Sequence, residues 1–184
     1  MKLLGLFRHA KSDWHDARAR DFDRPLNARG RKGAAVMGRH IAGHGVRWQR
    51  VLSSPAVRAA ETIELAAQAA GQSVPVEWDR RLYLASSHNL ADVLRELPDA
   101  NASALLVGHN PGLEDLIFDL VPDDGTCPLR ALVEEKFPTA TYAVLELAID
   151  RWADLDDGCG KLVHLIRPRD LDPALGPSHD DDGF

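Results

Sequence analysis

Leu3-Leu4-Gly5-Leu6-Phe7-Arg8-His9 is the stretch of sequence that decides the fold. Its first five residues form an apolar run, and a short run of this kind is typical of a strand that is buried on both faces of a parallel sheet. Arg8 and His9 follow where this strand ends and a loop begins. Because ligands of open α/β sheets bind beyond the carboxyl ends of the strands, the stretch predicts a binding site at Arg8 and His9.

Two later segments repeat the pattern of an apolar strand followed by polar residues. Residues 51–55, Val-Leu-Ser-Ser-Pro, lead into a predicted helix that carries Arg58 in its first turn. Residues 105–108, Leu-Leu-Val-Gly, lead into His109. Because the ends of parallel strands meet at one edge of a sheet, we expect two histidines and two arginines to form one phosphate-sized site.

The composition limits the class of protein. The chain has 184 residues, enough for one α/β domain with a core, and its net charge of −6 disfavours a non-specific nucleic-acid binder. No apolar run approaches the roughly 20 residues that a membrane span needs, and the N-terminus shows no signal-peptide pattern. Cys127 and Cys159 form no CxxC motif and no disulfide framework. The sequence therefore predicts a cytoplasmic protein without nucleic-acid or membrane partners.

Strand and helix patterns alternate along the chain, which is typical of an α/β protein. Strands are predicted at residues 3–7, 50–53, 74–78, 104–107, 142–149 and 161–167, and helices at residues 27–41, 55–70, 90–97 and 113–121. The last two strands follow an irregular stretch, residues 122–138, and are expected to pair as an antiparallel hairpin because their connection is short and polar. The pattern predicts a three-layer α/β/α domain over residues 1–170 and a disordered acidic tail over residues 171–184.

Several common chemistries have no matching motif in the chain. A cysteine phosphatase needs Cys-x5-Arg, but neither Cys127 nor Cys159 is followed by an arginine at that distance. There is no complete P-loop, no Gly-x-Ser-x-Gly elbow and no HExxH motif. A metal site at His9 and His109 is disfavoured because the neighbouring arginines would repel a cation at close range.

The residue types at the predicted site favour an anion instead. The planar guanidinium of arginine binds phosphate through two parallel hydrogen bonds, and the helices that begin near Pro55 and Pro111 add backbone N–H groups. A neutral imidazole can attack phosphorus and so split phosphoryl transfer into two easier steps. Positive side chains around it stabilise the charge on the transferring group.

Three motifs occur in order along the chain: Arg8-His9-Ala10, residues 53–62 and residues 107–112. They resemble the Arg-His-Gly signature and the second and third motifs of the histidine phosphatase superfamily. Residues 23–30 and the late Ile166-Arg167-Pro168-Arg169 resemble its SixA-type phosphohistidine phosphatases in particular. The resemblance covers about residues 2–170 and implies a phosphoglycerate mutase-like fold, with a mostly parallel six-stranded sheet that contains one antiparallel strand.

The resemblance also implies a role for each residue of the site. His9 would be the phosphorylated nucleophile, and Arg8, Arg58 and His109 would complete the phosphate pocket. Lys11 either adds positive charge near the substrate or is a solvated loop lysine. The superfamily implies no metal ion and no organic cofactor.

The chain departs from mutase-like members of the superfamily at the proton donor. Those members carry a glutamate in the loop after the third strand, where Leu84 stands here, although Asp79 could substitute. An alkoxide leaving group needs a strong general acid, whereas the imidazole of phosphohistidine needs less help. The departure therefore favours a phosphatase that acts on phosphohistidine in a protein partner.

Two alternatives stay open on the sequence alone. The same residues could hydrolyse a small phosphorylated metabolite, or they could bind phosphate without catalysis. A shallow, open site would favour the protein substrate, and a deep, lidded site would favour the metabolite.

Overall fold

Six strands form the central sheet of the computed structural model, which describes residues 1–177. They are β1 (Lys2–Arg8), β2 (Arg50–Ser53), β3 (Glu77–Trp78), β4 (Ser103–Gly108), β5 (Tyr142–Leu147) and β6 (Gly160–Ile166). Their order in the sheet is β3-β2-β4-β1-β5-β6. Only β5 runs against its neighbours within the described residues, since it pairs antiparallel with β1 and β6 while the other pairs are parallel. The predicted sheet with one antiparallel strand is confirmed.

Helices cover both faces of this sheet and complete the predicted three layers. They are α1 (Ala28–Gly43), α2 (Val57–Ala69), α3 (Ser87–Arg95), α4 (Gly112–Leu120), α5 (Pro128–Glu135) and α6 (Pro168–Leu171). Helices α1, α2 and α6 lie on one face, and α3, α4 and α5 lie on the other. Within residues 1–177, no helix has both the length and the apolar composition needed to cross a bilayer.

The covered faces explain why the inner strands are apolar throughout. Leu4 and Leu6 of β1 pack towards α3 and α4, whereas Phe7 packs towards α1 and α2. Each buried side chain of this size contributes about 1.5–3 kcal/mol relative to an exposed one. Gly5 leaves room for the ring of Trp48, because a Cβ at Gly5 would lie only 2.6 Å from that ring.

Local signals account for the start of α1. The side chain of Asn27 accepts a hydrogen bond of 2.7 Å from the backbone N–H of Gly30, as the predicted N-cap requires. Gly30 also allows a close approach, since a Cβ there would lie 2.0 Å from the carbonyl oxygen of Lys11. The loop that follows β1 is thereby held against the first turn of α1, and this loop carries part of the site.

Two predicted elements differ from the structure. The strand expected at residues 74–78 is reduced to Glu77–Trp78, because it lies at the edge of the sheet and Pro75 cannot donate a ladder hydrogen bond. Residues 122–138, expected to be irregular, contain α5. Its apolar positions span barely two turns and follow Pro122, Asp123 and Asp124. The helical periodicity is therefore too short to indicate a helix.

The folded chain continues past residue 170, where the predicted domain ends. Helix α6 is followed by a 3-10 helix at Pro173–Leu175, and Asp172 forms an ion pair of 3.0 Å with Lys32 of α1. Residues 171–177 therefore pack on α1 rather than forming the start of a tail. The rest of the predicted tail, residues 178–184, lies outside the described residues.

Candidate active site

The carboxyl ends of β1, β4 and β2 are adjacent in the sheet and bring the candidate residues together. The backbone N–H of His9 donates to the carbonyl of Gly108 at the end of β4, and that of Ser54 donates to Val107. His9 and His109, which follow β1 and β4, have ring centroids 5.2 Å apart. The three predicted strand ends thus meet at one place.

The environment of His9 keeps its imidazole neutral. The ring is buried, with an exposed fraction of 8%. Its Nδ1 lies 2.8 Å from the carbonyl oxygen of Ala10, so Nδ1 carries the proton and Nε2 keeps its lone pair. Burial lowers the pKa of His9 well below its ordinary value, and the positive charges of Arg8 and Arg58 act in the same direction. A neutral imidazole with a free Nε2 is the form that can act as a nucleophile.

His109 is held just behind His9. Its Nε2 lies 2.7 Å from the hydroxyl oxygen of Ser54, and the Tyr83 ring packs edge-on against it with centroids 5.4 Å apart. Burial, followed by the charge of Arg58, lowers the pKa of His109 to about 3. Its Nδ1 is buried and has no hydrogen-bond partner within residues 1–177. A buried ring nitrogen without a partner is unusual in a folded protein.

Arg58, in the first turn of α2, is held by Asp21 in the loop before α1. It donates to the Asp21 carbonyl oxygen at 2.7 Å and to the Asp21 carboxylate at 3.0 Å. The hydroxyl of Tyr83 donates to the same carboxylate. Burial alone would raise the pKa of the Asp21 carboxyl, but the hydrogen bonds from Tyr83 and Arg58 outweigh it and lower the pKa. Asp21 is therefore an anion that contacts Arg58 directly.

Arg8 lies at the end of β1 and is fixed by a single backbone contact. It donates to the carbonyl oxygen of Phe137 at 2.8 Å, while its buried Nε has no partner in the described part of the chain. Burial lowers the pKa of Arg8 to about 10, which still leaves the guanidinium charged at neutral pH. The group can offer further N–H donors to an anion.

A cavity of about 350 Å³ opens in front of His9. Arg8, His9, Lys11 and Arg58 line it. His109 is not among its lining residues, and its ring packs against those of His9 and Tyr83. The structure thus places three of the four core side chains on the cavity wall and the fourth next to them.

Several residues of the site were missed by the sequence analysis. Asp21 and Tyr83 come from segments without a regular pattern, so no spacing pointed them inward. Arg169 lies just before the predicted end of the domain, and Pro177 lies beyond it, yet both line the cavity. Two stretches carry a signal, because residues 82–86, which include Tyr83, and Ile166-Arg167-Pro168-Arg169 both resemble the SixA-type branch.

Asp79, the candidate replacement for the missing proton donor, forms its hydrogen bonds outside the cavity. Its carboxylate accepts hydrogen bonds from the side chain of Arg81, the shortest being 2.7 Å, and from the Arg81 backbone N–H. The bonds to Arg81 lower the pKa of the Asp79 carboxyl, and Asp79 does not line the cavity. Leu84 is 55% exposed. Neither residue supplies an acidic proton inside the cavity.

No group of three His, Cys, Asp or Glu side chains within residues 1–177 is arranged to hold a metal ion. The cavity instead gathers positive side chains around a neutral histidine. This arrangement suits an anion with charged oxygens, since guanidinium groups bind such oxygens directly.

Comparison with known proteins agrees with the interpretation of the cavity as an anion-binding site. The family model described as "Histidine phosphatase superfamily (branch 1)" matches residues 4–83. An uncharacterized protein of Mycobacterium tuberculosis is 35% identical over 163 residues, which cover 88% of this chain and 99% of the relative. The match therefore includes nearly all of the relative and most of this chain.

Solved structures share the fold over the same length. A crystal structure of a candidate phosphohistidine phosphatase SixA from Agrobacterium tumefaciens is 28% identical, with a TM-score of 0.76, and the match covers 91% of this chain and 98% of that chain. A protein histidine phosphatase SixA complexed with tungstate is 24% identical, with a TM-score of 0.73 and coverage of 92% and 99%. The second likeness concerns the fold alone.

Proposed function

Because the chain belongs to the histidine phosphatase superfamily and is thus a phosphatase, we propose that it hydrolyses phosphohistidine on a protein through a phosphorylated His9. The observation that carries this proposal is the state of His9. Its Nδ1 is bound to the Ala10 carbonyl, its ring is neutral, and it lines a cavity together with Arg8 and Arg58. The free Nε2 is the atom that attacks phosphorus.

The reaction takes two displacements at phosphorus. In the first, the lone pair of His9 Nε2 forms a bond to phosphorus while the bond from phosphorus to the substrate imidazole breaks, and the leaving nitrogen takes a proton from solvent. In the second, the oxygen of a water molecule forms a bond to phosphorus while the bond from phosphorus to Nε2 breaks. The product is inorganic phosphate, and the proton of the water passes to solvent. Arg8 and Arg58 stabilise the negative oxygens in both steps, and the ring of His109 packs next to that of His9. These cations supply the charge that a metal ion supplies in other phosphatases, so we propose a metal-independent reaction.

The choice of phosphohistidine rests on the leaving group. Asp21 and Asp79 are held as anions, since Asp21 is bound by Arg58 and Asp79 is bound by Arg81. Burial raises the pKa of the Glu114 carboxyl near Arg8, but Glu114 does not line the cavity. An enzyme without an acidic proton in its cavity favours a leaving group that departs without strong acid help. An imidazole meets this condition better than the alkoxide of a sugar phosphate.

The mouth of the cavity supports a protein as the carrier of the phosphohistidine. Trp14 lines it and is 61% exposed, and the guanidinium carbon of Arg24 lies 4.1 Å from the centre of the Trp14 ring. An exposed aromatic side chain at the edge of a charged cavity is typical of a surface that contacts another protein. The predicted cytoplasmic location stays a prediction.

The volume of the cavity favours a second candidate, a phosphatase for small metabolites. About 350 Å³ falls within the range of sites that enclose small ligands, and the same cations would bind a phosphomonoester. This candidate requires a proton donor that the cavity does not offer, so we rank it second.

The proposal is tested with a phosphohistidine peptide, an aryl phosphate and a sugar phosphate. We expect kcat/KM for the peptide to exceed that for the sugar phosphate by roughly a hundredfold or more, the scale of one general-acid contribution. His9→Ala should lower peptide hydrolysis by about a thousandfold, equivalent to ~4 kcal/mol in the barrier, and should abolish trapping of labelled phosphoenzyme.

His88→Ala is the matched control, because His88 is an exposed histidine of α3 that does not line the cavity. It should keep wild-type turnover and wild-type trapping. A His9→Ala enzyme that keeps a tenth of its activity would exclude the covalent mechanism. A sugar phosphate that outpaces the peptide would favour the metabolite phosphatase.

A further inference from the structure

We propose that the mouth of the cavity binds acidic side chains that flank the phosphohistidine, so that the substrate is an acidic segment of a protein. The surface concerned is the basic rim, defined as Lys11, Arg29, Lys136 and Arg169. This inference rests on the proposed function and extends it from the phosphoryl group to the protein around it. The protein substrate is thus specified by the charge of the residues around its phosphohistidine.

The first observation is the charge of the cavity wall. The basic rim joins Arg8 and Arg58 there, and among the described residues no aspartate or glutamate lines the cavity. The chain as a whole has a net charge of −6, so this region opposes the charge of the rest of the protein. A phosphoryl group carries at most two negative charges. Although the Asp21 carboxylate offsets the charge of Arg58, Arg8 together with Lys136 and Arg169 of the basic rim outnumbers these two charges. The basic rim therefore offers positive charge beyond what the reacting group needs.

The second observation is the origin of the basic rim in four separate parts of the chain. Lys11 follows β1, Arg29 lies in the first turn of α1, Lys136 follows α5 and Arg169 lies in α6. The fold thus brings four cations that repel one another to one opening, where Lys136 is exposed and the other three are half-buried. Converging charges of one sign are typical of a surface that recognises the opposite charge.

Two residues of the basic rim adjoin or contact segments that form the cavity. Lys136 directly precedes Phe137, whose carbonyl oxygen holds the guanidinium of Arg8. Arg29 donates to the carbonyl of Gly176, in the segment that continues from α6 along the cavity. A carboxylate bound at the mouth therefore lies beside the groups that hold the phosphoryl oxygens, and one substrate can occupy both places.

The dimensions fit a polypeptide. In an extended segment, side chains two residues apart point to the same side at a spacing of about 7 Å. The rim residues line the same cavity of about 350 Å³ as His9, so we expect a glutamate two residues from the phosphohistidine to contact the rim. The exposed ring of Trp14 adds a surface for the peptide backbone or an apolar neighbour.

The experiment uses the full chain and two phosphohistidine peptides that differ only at the positions two residues before and after the phosphohistidine. One peptide carries glutamate there, and the other carries glutamine. We expect kcat/KM to be about tenfold higher for the glutamate peptide at low salt, and the difference to shrink as the ionic strength rises. In the double variant Lys136→Gln with Arg169→Gln, we expect the two peptides to react equally well.

Lys161→Gln is the matched control, because Lys161 is an exposed lysine in β6 that does not line the cavity. This variant should keep the full preference for the glutamate peptide. Equal kcat/KM for both peptides in the wild-type enzyme would overturn the proposal, and so would a preference that survives in the double variant. Hydrolysis of p-nitrophenyl phosphate without hydrolysis of either peptide is a different result, and it would overturn the proposed function itself.

Two further arms separate other occupants of the basic rim. A bisphosphorylated sugar that reacts faster than both peptides, and loses this advantage in the double variant, would assign the rim to a metabolite and overturn the proposal. The chain's own Asp180, Asp181 and Asp182 follow the cavity-lining Pro177 in sequence. If their replacement by asparagine raises kcat/KM equally for both peptides, the rim serves the chain itself, and the proposal fails.

Discussion

At the scale of single residues, the contact between Arg58 and Asp21 is the most informative feature of the site. The Asp21 carboxylate takes the position on Arg58 that a phosphoryl oxygen would also favour, since both are anions that accept from the same guanidinium. Tyr83 donates to this carboxylate and keeps it in place. Binding of phosphate to Arg58 is therefore opposed by a charge that belongs to the protein.

We predict that Asp21→Asn binds tungstate more tightly than the wild-type enzyme. The amide keeps a hydrogen-bonding oxygen for Tyr83 and Arg58 but removes the negative charge, and the half-exposed position limits the gain to about three- to tenfold in Kd. Calorimetric titration would measure it. Asp23→Asn, two residues further along the chain and paired with Arg20 instead, should leave Kd unchanged. Weaker binding by Asp21→Asn would show that Asp21 mainly positions Arg58.

A second prediction concerns Asp79. Because its carboxylate is bound to Arg81 and lies off the cavity, Asp79→Asn should leave kcat for aryl phosphate and for phosphohistidine within about twofold of wild type. The pH–rate profile should likewise keep its shape. A variant that loses the falling limb at high pH would identify Asp79 as the proton donor after all.

At the scale of elements, the contact between α1 and α2 depends on a glycine. Gly38 of α1 is buried, and a Cβ there would lie 2.2 Å from the carbonyl oxygen of Ala66 in α2. The two helix backbones therefore approach more closely than any side chain would allow. Helix α2 carries Arg58, so this contact also sets the position of one side of the site.

We predict that Gly38→Ala lowers the free energy of unfolding by about 2–4 kcal/mol, because the added methyl group forces two backbones apart. Gly43→Ala tests the same substitution in the same helix where nothing lies within 4 Å of the added Cβ. It should be neutral or stabilising by up to ~1 kcal/mol. Urea titration of both variants would measure the difference, and equal effects would contradict the role given to the contact.

The elements with strong local signals could be predicted from the sequence, and the others could not. Strand β2 lies at the predicted residues 50–53, and Asn27 caps α1 as expected, because an apolar run and a capping side chain act over a few residues. The position of His109 behind His9 depends instead on Ser54 and Tyr83, which contact it from other elements. Side-chain geometry of this kind is set by packing between distant segments, and no spacing in the chain encodes it.

At the scale of the whole molecule, buried and half-buried histidines link stability to pH. His40 of α1 and His44, which directly follows α1, stack near His164 of β6, and Nε2 of His40 lies 2.9 Å from Nε2 of His164. Burial, followed by the charge of His44, lowers the pKa of His164 to about 4, and burial also lowers that of His40. His9 and His109 shift in the same direction.

We predict that the free energy of unfolding falls as the pH falls from about 6.5 to about 4. In this window the histidines of the unfolded chain, with a pKa near 6.5, bind protons that the folded chain does not bind. His164→Gln should reduce the fall in Tm between pH 7 and pH 5, whereas His88→Gln, at an exposed position, should not. If Tm depends on pH in the same way in wild type and in His164→Gln, the lowered pKa of His164 is not a cause of the fall.

The packing of residues 171–177 on α1 has a consequence for proteins joined to this one. Pro177 lines the cavity, which opens at the carboxyl ends of the parallel strands, whereas Met1 precedes β1 at their amino ends. A domain attached behind Pro177 by a flexible linker of roughly 20 residues would lie at a root-mean-square distance of about 25 Å from Pro177, at an effective concentration in the millimolar range. A phosphohistidine carried by such a domain should be hydrolysed at a rate that dilution does not change. The same domain attached to Met1 should react only through encounters between molecules.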